Sequence, residues 1–294
     1  MKPVITYPGF DMYRPFEGEL ASLFGAYADP REYTHVFYDV LRHEPWYRRN
    51  SDGSYWFQMP PRPERGDAIF FTSENFIPDM DACDWAFSMR YLDHPRHMRM
   101  PLYGLLTWWN DGARLLKYHG WAENALAAKL RFCNFVAKNE VPFREQFYHL
   151  LSGYKEVDCW GERLCNCEIQ AGPKRQGGIW KPLELLGQYR FTIAFENVEA
   201  PGYVTEKLME AMFAGSIPIY WGDPTVIEQF NPASFVDVRS FGSLTEVVDY
   251  VAWLDMNDDA YLETLRQPWF HGNVPNQWCR RALVESRLRE IFES

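Results

Sequence analysis

A chain of 294 residues, 47% hydrophobic and 17% aromatic, is long enough to bury two cores of ordinary domain size and too apolar to stay unfolded. Its formal net charge of -10 argues against a general polyanion-binding surface, so no nucleic acid is expected as a partner, and an anionic small ligand must meet a local group of Arg and Lys. The start, Met1-Lys-Pro-Val-Ile-Thr-Tyr-Pro8, lacks the apolar core of a signal peptide, and no run of about eighteen apolar residues occurs, so neither export by a visible signal nor a membrane span is expected.

In chain order, the first half reads as short strands, Thr34 to Val40 and Ala68 to Thr72, between irregular Pro- and Arg-rich stretches; Pro60-Pro-Arg-Pro-Glu-Arg-Gly66 is a loop by composition. A helical stretch from Ala113 to Lys129 follows, and the domain boundary is expected near Trp121, giving domains 1–121 and 122–294. Next come a strand over 130–137, a helix over 143–152, a strand over 190–195, a helix over 203–214, a strand over 217–221 and helices near 243–254 and 278–292. Alternating β and α elements imply an α/β protein with parallel sheets covered on both faces, and ligands in such sheets bind beyond the carboxyl ends of strands. Asn139, Arg144, Glu196 and Asn197 fall at such ends.

The segment from Phe191 to Gly222 is the most informative part of the chain. An apolar run ends in Glu196-Asn197, Pro201-Gly202 breaks the backbone, and Tyr203 to Ala214 has helical periodicity before Ile217 opens another strand. Val204, Leu208, Ala211 and Met212 form an apolar stripe, whereas Tyr203, Glu206, Lys207 and Glu210 form a second one that is expected to be free for a ligand. Open N–H groups at the helix start and the Lys207 ammonium would together suit an anion. Spacing alone favours an ordinary buried βαβ unit with a solvated Glu/Lys stripe.

Two other features invite a metal. Cys159, Cys165 and Cys167 cluster, but their spacing is unlike the knuckles of structural zinc sites, so reduced thiols in a loop are expected. Asp79-Met-Asp81 reads Asp-x-Asp but lies in a loop away from the expected anion site, so no built-in metal is expected. His94 and His97 read as loop or packing residues. Aromatic residues such as Trp46, Tyr47, Trp56, Trp108 and Trp109 are suited to stacking on sugar faces, although most of the chain's 12 Trp are expected in cores.

The residues Tyr189-x-Phe191-x3-Phe195-Glu-Asn197, Gly202-Tyr-Val-Thr-Glu-Lys207 and Ile217-Pro-Ile-Tyr-Trp-Gly222 resemble the donor-binding signature of the alpha-1,3-fucosyltransferases, glycosyltransferase family ten, in its compact bacterial form. A second matching stretch runs through Ala68-Ile-Phe-Phe-Thr-Ser-Glu-Asn75, Cys83-Asp-Trp-Ala-Phe87 and Arg99-Met-Pro-Leu-Tyr103, so the resemblance covers Ile69 to Leu254. It implies the GT-B architecture, two Rossmann-like parallel-sheet domains facing a cleft, with the last helix packing back on the N-terminal, acceptor-binding domain. It also implies GDP-fucose as donor, no required cofactor and an inverting transfer, with Mn2+ at most a stimulant.

An inverting transfer needs a carboxylate to take the acceptor's proton and cations to stabilise the departing diphosphate. By the resemblance, Glu74 is the base, Arg144 and Lys207 clamp the diphosphate, Glu206 bonds ribose hydroxyls, and Tyr203 and Asn197 line the nucleotide pocket, with Asn139 and Glu196 also in the donor site. Taken singly, Glu74 reads as a solvated loop residue or cap, and Arg144 as one half of a surface pair with Glu145. Lys138 stands where relatives commonly have Ser, which weakens the carry-over at Asn139.

The sequence is thus expected to be a fucosyltransferase acting on an N-acetylglucosamine-containing glycan, an oligosaccharide or glycolipid, in bacterial surface polysaccharide synthesis. A cytoplasmic location, with contact at the inner membrane left open, goes with it, because animal and plant relatives carry an anchor. The alternatives are a transferase for another GDP-hexose or acceptor, and a nucleotide-sugar-binding module without catalysis.

Overall fold

The computed structural model describes residues 66–109, 115–137, 139–161, 164–167 and 183–293, with short stretches at 5–6, 34–38, 47–49, 55–59, 61–62 and 64. The chain forms two compact units, one of residues 1–105 with 280–294 and the other of residues 106–279. Among the described residues no helix is long and apolar enough to cross a membrane.

In the first unit the main sheet has five parallel strands in the order β1, β2, β5, β6, β7: Ile5–Thr6, His35–Tyr38, Asp67–Phe71, Trp85–Ser88 and His97–Arg99. Tyr47–Arg49 (β3) and Tyr55–Phe57 (β4) pair separately as an antiparallel ribbon. Val36, Phe37 and Tyr38 are all buried, as are Ala68 through Phe71, so these short strands carry unbroken apolar runs rather than the alternation of a half-solvated sheet. The helix Arg281–Glu293 belongs to this unit: the Phe292 ring meets His35 at 4.8 Å, and the Arg287 guanidinium donates to the Pro95 carbonyl at 3.0 Å. The expected return of the last helix to the N-terminal part is therefore observed.

The second unit holds another parallel sheet, in the order β12, β11, β10, β8, β9: Val236–Asp237, Ile217–Trp221, Tyr189–Phe195, Arg131–Ala137 and Val157–Gly161. Phe191 of β10 lies beside Ile217 of β11 and Cys133 of β8. From β8 the chain runs first to β9 on one side and then to β10 on the other, so the order reverses between β8 and β10. That reversal opens a crevice at the strands' carboxyl ends, where α/β sheets bind ligands. Beneath it, Phe147 stacks on Phe195 at 4.8 Å and Phe143 meets Trp221 at 4.6 Å, joining the helix Pro142–Tyr154 to the two central strands.

Several expectations change. The helix expected over 113–129 occupies only Trp121–Ala127, preceded by Gly120 at φ 81°, and residues 110–114 lie outside the described ones. The helix expected from Tyr203 begins at Glu206, because Pro201-Gly202 turns the chain, Gly202 at φ 84°, and Thr205 is still extended. Val157–Gly161 with Cys159 is an edge strand rather than a loop, and Cys159 is buried in it. Trp46 and Lys138 fall outside the described residues, as do residues 60, 63 and 65 of the loop at 60–66.

Candidate functional site

Glu196 follows the last residue of β10 and is fully buried. Its backbone N–H donates to the Trp221 carbonyl at 2.8 Å, which continues the sheet pairing one step and turns the carboxylate inward. There Oε1 accepts from the Thr205 N–H at 2.7 Å, while Oε2 accepts from the Thr205 hydroxyl at 2.7 Å and from Lys207 Nζ at 3.1 Å. The Lys207 ammonium also donates to Thr205 Oγ1 at 3.0 Å and lies 3.5 Å from Glu206 Oε1. Burial pushes the Glu196 carboxyl up, against the pull of Lys207 and the Thr205 donors. On Lys207, burial lowers the pKa but Glu196 and Glu206 outweigh it, so the ammonium is held above its usual value.

Arg144 projects from the first turn of Pro142–Tyr154 and is buried. Its Nη1 donates to Asn197 Oδ1 at 2.6 Å, and its guanidinium lies 5.4 Å from the centroid of the Phe135 ring. Burial lowers its pKa, opposed by the charges of Glu196, Tyr203, Glu206 and Glu145. Its Nε has no hydrogen-bond partner among the described residues, a costly arrangement for a buried charge-bearing group.

The structure thus gathers Arg144, Asn197, Glu196, Tyr203, Glu206 and Lys207 at the reversal point of one sheet. Asn139 lies half-buried just past β8. Glu74 stands in the first unit, beyond the carboxyl end of β5, with its N–H donating to Thr72 Oγ1 at 3.1 Å and its carbonyl accepting from the Phe76 N–H at 2.8 Å. Asp79, from the Asp-x-Asp sequence, turns its carboxylate to the Asp81 N–H at 3.0 Å.

Two expectations about the helix at 206–213 are corrected. Its polar stripe is not open, since Tyr203 and Glu210 are buried and Lys207 is paired. The Thr205 N–H is likewise not open to a ligand, being already bonded to Glu196. Two residues not singled out in the sequence matter here. Thr205 bridges Glu196 to Lys207, and Gly222 leaves the space that the Glu196 side chain fills, since a Cβ there would lie 2.4 Å from Glu196 Cγ. Thr205 was visible as a hydroxyl before the helix, but it reads there as a cap, a role its side chain does not take.

Residues 126–271 match the C-terminal domain of glycosyltransferase family 10 (fucosyltransferase). The chain belongs to that family. The family-10 match spans β8, β10 and β11 and therefore every residue of the cluster just described. The alpha-(1,3)-fucosyltransferase of Helicobacter pylori is 33% identical over 67% of this chain and 46% of its own. GDP-fucose protein O-fucosyltransferase 3 of Xenopus laevis is 29% identical over 65% of this chain and 42% of its own. The chain spans less than half the length of these two relatives. A solved alpha1,3-fucosyltransferase with GDP-fucose is similar in structure, with a TM-score of 0.73 and 26% identity over 99% of this chain and 91% of that one. Two parallel-sheet units of the GT-B class are thus common to this family-10 chain and its structural relative.

Proposed function

We propose that the protein is an inverting fucosyltransferase that moves L-fucose from GDP-fucose to a hydroxyl of an N-acetylglucosamine-containing glycan, in alpha-1,3 linkage, during bacterial surface polysaccharide synthesis. The observation that carries this reading is the group of Arg144, Asn197, Glu196, Thr205 and Lys207 at the carboxyl ends of β8 and β10, in which Arg144, Glu196 and Thr205 are buried. A buried guanidinium with an unsatisfied Nε and an ammonium beside it suit a diphosphate, the first as a directional donor and the second as a point charge.

In this reading Arg144 and Lys207 stabilise the negative charge that grows on the departing GDP as the sugar becomes oxocarbenium-like. No resident metal is needed, because the two cations supply the neutralisation a metal would otherwise give. Asn139, Asn197 and Tyr203 line the nucleotide pocket, and Glu206 accepts from ribose hydroxyls. Glu74 removes the acceptor's proton. The unit holding residues 1–105 binds the acceptor, and the unit holding residues 106–279 binds the donor.

The O-fucosyltransferase names among the relatives favour one second reading, in which the acceptor is a protein hydroxyl. One assay separates the cases: GDP release from GDP-fucose in EDTA, with and without N-acetyllactosamine, for wild type beside Glu74→Gln. Acceptor-stimulated release that falls by about a hundredfold or more in the variant is expected of a lost general base. Near-normal turnover in Glu74→Gln would remove Glu74 from that role. GDP binding with only a slow, acceptor-independent release would turn attention to a protein acceptor, and GDP binding with no release at all to a binding module.

A further inference from the structure

Lys207 donates to two of the chain's own acceptors and is ion-paired with a third. An ammonium has three N–H donors, and three oxygens surround this one: Thr205 Oγ1 at 3.0 Å, Glu196 Oε2 at 3.1 Å and Glu206 Oε1 at 3.5 Å. A phosphate oxygen that takes Lys207 as its partner competes with these three, and the weakest of them is the one to yield. Glu196 cannot easily give way. It is fully buried and holds both the Thr205 N–H and hydroxyl. Thr205 is fixed by the same bonds. Glu206 has the longest contact with Lys207 and is the more solvent-exposed of the two carboxylates, with side-chain exposures of 12% for Glu206 and 0% for Glu196.

We propose that Glu206 is a selectivity element: it yields Lys207 to a nucleoside diphosphate, whose sugar hydroxyls receive the displaced carboxylate, and withholds Lys207 from a bare inorganic diphosphate. This rests on the donor-site reading above. The charges explain the need for such an exchange. Glu196 and Glu206 offset Arg144 and Lys207 in the free protein, so an incoming diphosphate gains the full attraction of the two cations only once Glu206 has left Lys207. A carboxylate released beside a diphosphate is repelled unless hydroxyl donors are within reach. A nucleoside brings those donors and inorganic pyrophosphate does not. Discrimination therefore arises from what becomes of Glu206 after it leaves Lys207.

The test is calorimetric titration of the full chain with GDP and, separately, with inorganic pyrophosphate in EDTA, for wild type, Glu206→Ala, Glu206→Gln and Glu145→Gln. Glu206→Ala is expected to bind pyrophosphate about threefold or more tighter, the scale of a partly exposed ion pair. The same variant is expected to bind GDP about threefold or more weaker, because the hydroxyls lose their acceptor. Glu206→Gln loses the charge but keeps an acceptor oxygen, so it should tighten pyrophosphate while recovering part of the GDP affinity. Glu145 also acts on Arg144 through its charge, so its variant reports the loss of one negative charge at a residue other than Glu206. Equal tightening in Glu145→Gln, or both ligands shifting the same way in Glu206→Ala, would overturn the exchange. Wild-type protein that binds no GDP would overturn the donor-site reading itself, whereas GDP binding without the opposite shifts would overturn the exchange alone.

Discussion

Gly222 shows how one absent side chain makes room for a functional group. A Cβ built there would lie 2.4 Å from Glu196 Cγ, 2.9 Å from Glu196 Cβ and 2.8 Å from the Tyr220 hydroxyl. That hydroxyl is itself held in place, accepting from the Asp223 N–H at 3.1 Å. Neither neighbour is the loose end of a surface side chain, so Gly222→Ala must displace Glu196 and with it Thr205 and Lys207. Overpacking of this kind is expected to cost about 1–3 kcal/mol in urea unfolding and to weaken GDP binding by about tenfold. A variant as stable as wild type with unchanged GDP affinity would show that the Glu196 position can relax without consequence. The motif Ile217-Pro-Ile-Tyr-Trp-Gly222 was legible in the sequence, but the partner of its glycine was not, because a close approach across two strands leaves no trace in spacing.

The elements that could be read in advance are those whose ends carry their own chemistry. The helix Leu244–Met256 starts after Ser243 in Ser243-Leu-Thr-Glu246, where Ser243 Oγ accepts from the Glu246 N–H at 3.3 Å and Glu246 Oε2 reaches back past the cap to accept from the Gly242 N–H at 3.0 Å. Ser243→Ala is expected to destabilise the second unit by about 1 kcal/mol; an unmoved urea midpoint would mean that burial of Val247, Val251 and Leu254 alone holds the first turn. The central strands Arg131–Ala137, Tyr189–Phe195 and Ile217–Trp221 were legible for a related reason, since each is a mainly apolar run bounded by turn residues. Elements without such marks were missed. Trp85–Ser88 and His97–Arg99 are too short to show a period and carry polar residues that only pairing in the sheet accounts for. Asp258–Arg266 has a helical cap, Asn257 accepting from the Ala260 N–H at 3.1 Å, but its many charged residues hide the buried pair Tyr261 and Leu265. At the candidate site the residue types were legible and their pairing was not: nothing in the local sequence says that Lys207 pairs with Glu196, or Arg144 with Asn197, which lie far apart in the chain.

Over the whole chain the acid limit of stability should be set in part by histidines rather than by carboxylates alone. His97 is buried in β7, where Ser88 Oγ lies 2.9 Å from Nε2 and the Leu92 carbonyl lies 3.2 Å from Nδ1. A carbonyl only accepts, so Nδ1 carries the proton and Nε2 accepts from the Ser88 hydroxyl; the neutral ring is fully satisfied. Burial, with His94, Arg287 and Arg99 adding repulsion, lowers its pKa from 6.5 to about 4. His35, buried against Phe292 of the C-terminal helix, is lowered as well, mainly by burial and despite Asp67. For a folded-state pKa below the unfolded one, the unfolded chain binds more protons between the two values. Stability is then complete above about pH 6.5 and falls as the pH drops toward 4. His97 alone should remove about 2 kcal/mol at pH 5, a window above the pKa of most carboxylates. Because Arg287 lies on the last helix and donates to Pro95, the end of the chain helps set this limit. His97→Asn keeps a donor for the Leu92 carbonyl and removes the titration, so urea midpoints measured from pH 7 to 5 should decline less steeply in the variant than in wild type. Parallel declines would place the acid sensitivity outside His97, with His35 the next residue to exchange.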